Sequence, residues 1–264
     1  MTGVRDPLEA VLGAALWCPS SREAEVLAVR VGAFWTAVRT TAGAGLASTL
    51  RGEAHLTGET PVAWAGSLAG RSPSELLGLL RSPSLLEASV GLATANALLG
   101  EAAGRITEEN AVEIIARRGR GRRVVMVGRF PFTPRLDGAV GELVVHDRGS
   151  RGGGGGGDEL LRDLGSADVV ALTATTLLNG TLPEILERVP QDAFLMMLGP
   201  STPMAAPLLE LGFDVLCGTV VEDPAAVVRT VGEGAVTGQI TGVRRVCLWG
   251  ETGASETGAG DAIE

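Results

Sequence analysis

The stretch VVALTATTLLNGT, residues 169–181, begins as an unbroken apolar run and turns at Thr173 into a cluster of hydroxyl, amide and glycine positions. Three further runs share its first half: VVMV at 124–127, FLMML at 194–198 and FDVL at 213–216, each stopping at Gly, Thr, Ser or Asn. A helix-start signal follows three of the four directly. Short runs without polar alternation are the pattern of strands buried on both faces, as in a parallel sheet covered by helices. The clusters then become strand-to-helix turns at one edge of that sheet, where open α/β folds bind their ligands. A small-ligand site is expected at that edge.

Working outward, residues 141–146 supply one more strand, and the order from residue 105 onward reads strand, turn, strand and then alternating helix and strand, ending on a helix. The first hundred residues differ. Segments 25–31, 35–40 and 44–50 are rich in Val and Thr, are separated by Gly32 and Gly43, and predict a three-stranded meander. Ser72, Pro73 and Glu75 then form an N-cap, N1 proline and N3 glutamate, and Ser82 with Pro83 opens a second helix in the same way. In it Leu85, Ser89, Leu92, Asn96 and Leu99 recur at helical spacing, which puts Asn96 on the buried face. A third helix is expected from Thr107, with Glu108 and Glu109 in its first turn and Arg117 and Arg118 in its last.

The expected organisation is an α+β unit over 1–104, an α/β domain over 105–249 and a disordered acidic tail over 250–264. The glycine run 152–157 is not followed by Gly-Lys-Ser/Thr, so it predicts a flexible linker rather than a phosphate-binding loop. Residues 8–17 predict a surface helix, since no basic or cleavage flanks frame a signal peptide.

The chain has 264 residues and a net charge of −9, and all its basic residues are arginine. A field of that sign repels phosphate backbones and argues against nucleic-acid binding. No apolar stretch approaches the ~20 residues that span a bilayer, so no membrane partner is expected and the location is expected to be cytoplasmic. Lysine and tyrosine are absent, which excludes a Schiff-base lysine and a tyrosine acid. Cys18, Cys217 and Cys247 form neither a disulfide framework nor a metal clip, and Cys217 at a strand end predicts a small core hydrophobe. Homo-oligomerisation is left open.

Four turns carry the candidate site. In the first, Gly128, Arg129, Phe130, Pro131 and Phe132 lack the glycines of a dinucleotide fingerprint, so neither NAD nor FAD is expected. Its aromatics either plug a gap between the domains or, with Arg129 and Phe130, frame a pocket. In the second, Thr181 and Glu184 match a capping box; Thr173, Thr175, Thr176 and Asn179 exceed what capping requires and suit a polar or anionic ligand. The third contains Gly199, Pro200 and Ser201, with Thr202 as N-cap before Pro203. The fourth has Gly218 and Thr219, then Asp223 before Pro224, which is a helix cap or, if unengaged, the one carboxylate near the site. No nucleophile and base announce themselves. His55 and His146 read as incidental, and Ser201 lacks a hydrolase elbow.

The segments VGRFPF (127–132), TATTLLNGT (173–181), LGPSTP (198–203) and GTVVED (218–223) resemble the signature segments of the family described as "Putative heavy-metal chelation". The front half fits through 31–38, 45–49 and Asn96-Ala97-Leu98. The resemblance implies an enolase N-terminal-like domain followed by a Rossmann-like domain, with a site in the cleft between them. It carries over Gly128, Arg129, Phe130, Thr175, Asn179, Thr181, Gly199, Pro200, Ser201, Gly218 and Asp223, with Asn96 on the opposing wall. The glycine run departs from the family's expected acidic, proline-containing loop. Metals favour His, Cys or several carboxylates, whereas these turns offer hydroxyls and amides, so a heavy-metal ion or, better, an organic metal chelate is the implied ligand. Three classes stay open: a binding or chelate-handling protein, an enzyme with Asp223 as base and Arg129 holding an anion, and an interaction module.

Overall fold

The structure is a computed structural model that describes residues 6–51, 61–100, 104–147 and 157–250. His55, the glycines 152–156 and the tail 251–264 lie outside the described residues. The meander forms as expected: β1 (Val26–Val31), β2 (Trp35–Thr40) and β3 (Ala44–Ser48) pair antiparallel in sequence order. The surface helix expected over 8–17 forms, with one face buried. It is α1 (Pro7–Trp17), whose Val11, Leu12 and Ala15 are buried against neighbouring helices while Glu9, Leu16 and Trp17 are exposed.

After α2 (Pro73–Gly78), whose Ser72–Glu75 capping box is made in both directions, α3 spans Leu85–Leu99 with Ser84, not Ser82, as its N-cap. Ten residues of α3 are buried, as befits a helix that is apolar nearly all round. Gly45 of β3 makes this packing possible. A Cβ there would sit 2.3 Å from both the Ala93 carbonyl oxygen and the Ala97 nitrogen, so any side chain would push helix and sheet apart.

The second sheet has seven strands in the order β4-β10-β9-β8-β7-β5-β6. Its parallel part comprises β5 (Arg123–Val127), β6 (Glu142–His146), β7 (Val169–Thr173), β8 (Phe194–Leu198) and β9 (Val215–Val221). Two antiparallel strands not anticipated from sequence extend it, β10 (Val243–Trp249) on β9 and the short β4 (Arg105–Thr107) on β10. Helix α4 (Ala111–Arg118) accordingly begins at Ala111, not at Thr107. Thr107 is taken by β4, where its Oγ1 accepts a hydrogen bond from Trp249 Nε1 at 3.0 Å, and Asn110 caps the helix through Val112 N. Short helices follow the parallel strands: α5 (Gly157–Leu164), α6 (Thr175–Leu178), α7 (Leu182–Leu186), α8 (Ala206–Leu209) and α9 (Pro224–Gly232).

Strand alternation divides the core. Val124, Met126, Val169, Ala171, Met196 and Cys217 face α4, whereas Val125, Val170, Leu172, Met197 and Leu216 join one apolar cluster with α1, α2 and α3. The first sheet packs its other side, through Trp35, Ala37 and Leu46, on Val227 and Val231 of α9. The result is a two-domain α/β fold whose two sheets share buried apolar contacts. Cys217 and Cys247 are buried, as expected of a core cysteine, but they also pair as a disulfide, directly opposite each other across β9 and β10. A separation of 30 residues gave no hint of that register. Among the described residues no helix is long and apolar enough to cross a membrane.

Candidate functional site

Along the parallel strands the spatial order β6-β5-β7-β8-β9 reverses direction between β5 and β7, and a crevice outside the carboxyl ends is expected there. Gly128 and Gly199 leave β5 and β8 at this edge with φ of 108° and 116°, conformations that side-chain-bearing residues rarely adopt. Each amide stays tied to the next strand, Gly128 N to the His146 carbonyl at 2.8 Å and Gly199 N to the Cys217 carbonyl at 3.0 Å. The Phe130 ring lies over both: a Cβ on Gly128 would be 3.7 Å from it and one on Gly199 3.9 Å, while the Thr173 side chain would crowd Gly128 at 2.8 Å. Gly128, Phe130, Thr173 and Gly199 therefore meet at the switch point. Phe130 also stacks on Phe132, with centroids 5.2 Å apart.

The remaining turn residues are occupied differently. Arg129 points outward, 78% exposed, with Nε 3.5 Å from Asp147. Thr175 donates to Thr173 Oγ1 from both its amide and its hydroxyl, and the buried Thr176 hydroxyl donates to the Thr173 carbonyl at 2.8 Å. The capping box expected at Thr181 and Glu184 is not made. Thr181 enters α7 with helical dihedrals and no side-chain cap bond; instead the exposed Asn179 accepts from Thr181 N at 3.2 Å and Thr181 Oγ1 at 2.8 Å. Asn179 thus holds the turn that Thr181 was expected to hold.

Ser201 and Asn96 join the two units. Ser201 is 3% exposed; its Oγ accepts from Ser48 N at 2.8 Å and lies 3.0 Å from Ser48 Oγ. Asn96 donates through Nδ2 to the Leu46 carbonyl at 2.7 Å and the Ser201 carbonyl at 3.0 Å, and its buried Oδ1 has no partner. The helical spacing located Asn96 on a face that meets the second sheet. Thr202 is not a helix cap, because α8 starts only at Ala206, and its buried hydroxyl is unpaired. Gly218 is filled from within: a Cβ would lie 2.5 Å from Met204 Cε and 2.7 Å from the Thr202 carbonyl oxygen. Asp223 is exposed, and its Oδ1 accepts from Ala225 N and Ala226 N at 3.0 Å each, so its carboxylate caps α9.

A cavity of about 400 Å³ opens beside these turns. Leu46 of the first sheet lines it together with Pro200, Thr219, Glu108, Arg244 and Arg245, and the 3₁₀ turn at Thr237 and Gly238 forms part of its wall. Of the residues predicted from sequence for the site, Pro200 lines the cavity. Thr219 Oγ1 donates to the Pro200 carbonyl at 3.2 Å, which fixes the wall next to Ser201. Thr219 had been noted only as a strand end. The two arginines were missed altogether; their signal was an Arg pair inside the otherwise apolar segment 243–249. A more open depression of about 640 Å³ lies at the opposite sheet edge, around Arg117, Arg120 and Gly141. It is remote from the carboxyl ends of the strands.

Metal donors do not converge. Among the described residues no group of three or more His, Cys, Asp and Glu is placed to hold an ion. His146 Nε2 sits 2.8 Å from Asp163 Oδ2, but Asp163 Oδ1 is 2.6 Å from Arg123, which also reaches Glu142 at 2.9 Å. That row is a part-buried ion-pair network, with its carboxylates already engaged by a cation.

Fold and site together define a two-domain α/β protein with a polar cavity at the carboxyl edge of a parallel sheet. Family models described as "Putative heavy-metal chelation" match residues 18–99 and 110–249, and the chain belongs to that family. Two solved structures of DUF364 family proteins of unknown function resemble it. One, from Desulfitobacterium hafniense, is 22% identical with a TM-score of 0.72 over 92% of this chain and 98% of that one. The other, from Pyrococcus horikoshii, is 19% identical with a TM-score of 0.74 over 92% and 99%. No curated protein matches the sequence.

Proposed function

We propose that the protein binds a small polar organic molecule, including one that itself carries a metal ion, in the cleft between the two sheets at the carboxyl edge of β8 and β9. The cavity of about 400 Å³ that Leu46 closes from the first unit and Pro200, Thr219 and Arg245 close from the second carries this reading. It is within the range of small-ligand sites, roughly 300–1,000 Å³. Gly128, Phe130, Thr173 and Gly199 extend the same edge toward the switch point, and Asn96 with Ser201 fixes the spacing of the two walls. The family description points to metals, yet the lining consists of hydroxyl, guanidinium and apolar groups with one glutamate. Such a surface suits a chelate whose donors come from the organic ligand rather than a bare ion held by protein. Mass spectrometry of small molecules and metals released from natively purified protein tests this. A metal recovered in stoichiometric amount with an organic molecule supports it; a metal retained with no organic partner refutes it.

A further inference from the structure

We infer that the cavity selects ligands bearing a carboxylate or phosphate group, and that Arg245 is the residue that engages it; this rests on the binding role proposed above. The chain carries a net charge of −9, so its overall field disfavours anions. The cavity sets two arginines against that field. Its charged lining is Arg244 and Arg245 against Glu108. Arg244 is committed elsewhere, with Nη1 3.1 Å from Glu108 Oε1 and Nε 2.8 Å from Glu222 Oε1. Arg244 is thus shared between two glutamates, and Arg245, exposed and without a partner among the described residues, is the cation left for a ligand at the wall.

Its placement is set by the sheet, not by side-chain chance. Arg245 stands directly opposite Thr219 in the β9–β10 ladder, and the Cys217–Cys247 pair crosslinks the same two strands two residues away. Thr219 spends its proton on the Pro200 carbonyl and so positions the wall without donating to an anion. The guanidinium supplies a planar fork of N–H donors that matches a carboxylate or phosphate in two parallel bonds, a geometry an ammonium does not offer. A polycarboxylate holding a metal ion satisfies both the cavity and the family description. The organic part provides the metal's donors, and Arg245 reads the anionic charge that remains.

The experiment titrates citrate and inorganic phosphate into the full chain by calorimetry at low and raised salt, using wild type, Arg245→Gln, Arg120→Gln and Gly238→Phe. Gly238 lines the cavity and a side chain starting there meets no heavy atom within 4 Å, so Phe adds bulk at the cavity wall without disturbing the core; thermal melts confirm that each variant folds. Saturable binding of at least one anion is expected, weakened about tenfold or more in Arg245→Gln and by raised salt, unchanged in Arg120→Gln and lost in Gly238→Phe. Citrate without phosphate assigns a carboxylate ligand, and the converse a phosphate. Equal affinity in wild type and Arg245→Gln, or no saturable binding of either anion, overturns the inference. The cleft itself is judged separately by the molecules that co-purify. If an uncharged molecule is retained by Arg245→Gln and lost from Gly238→Phe, the cleft stands and the anion selectivity falls; if Gly238→Phe changes nothing that co-purifies, the cleft falls too.

Discussion

Replacing Asn96 by Ala removes two hydrogen bonds that tie α3 to β3 and to the turn after β8, at 2.7 and 3.0 Å. Each carbonyl left without its donor costs about 1 to 3 kcal/mol. The substitution also removes Asn96 Oδ1, which is buried and unpaired, and this returns about 1 kcal/mol. A net loss of about 1 to 5 kcal/mol is expected. Asn96→Asp should cost more at neutral pH, because a carboxylate would face two carbonyl oxygens. Burial and those oxygens raise the folded-state pKa of such a carboxyl. Its deficit against wild type is therefore smallest below the unfolded value of about 3.9 and grows as pH rises through the raised folded value. Urea unfolding followed by tryptophan fluorescence measures both effects, since Trp35 reports on the first sheet and Trp249 on β10. An Asn96→Ala variant within about 0.5 kcal/mol of wild type, the range of ordinary surface changes, would refute the bridging role. So would an Asp variant whose deficit does not vary with pH.

Gly218→Ala should destabilise by about 1 to 3 kcal/mol through overpacking against Met204 and Thr202, read as a lowered melting temperature. Asn179→Ala should cost about 1 kcal/mol through the lost turn bonds to Thr181, and Thr181→Ala less, which chemical denaturation of the pair decides. Asp223→Ala should lower stability by about 0.5 to 2 kcal/mol as a helix cap, with the loss seen first in amide exchange of α9. Reducing the Cys217–Cys247 bond, which closes a loop of 30 residues, should cost about 3 to 4 kcal/mol on the chain-entropy account; an unchanged melting temperature in reductant contradicts that account here.

The meander, the five parallel strands and most of the helices were legible in the sequence because apolar periodicity and capping residues act over neighbouring positions. Buried runs such as 169–172 mark strands whatever surrounds them, and Ser72, Pro73 and Glu75 cap α2 using one turn of chain. Local signals failed where a competing partner, distant or near, outbid them. Thr107 looks like a helix cap until β10 arrives to pair with it, and Thr181 looks like one until Asn179 takes its amide. The segment 243–249 hides its strand behind two arginines, which sit on an antiparallel ribbon next to an open cavity rather than inside a doubly covered sheet. Asn96 was recognisable as an amide on an inward-facing helix face, where it is part-buried, but its acceptors, at residues 46 and 201, were not. The cavity is the extreme case, since residues 46, 108, 200, 219 and 237–245 become neighbours only when the two sheets pack. Sequence determined the elements because propensity and periodicity are local; tertiary structure decided the partners and the cavity because burial, hydrogen-bond pairing and charge balance depend on which distant residues fill the remaining space.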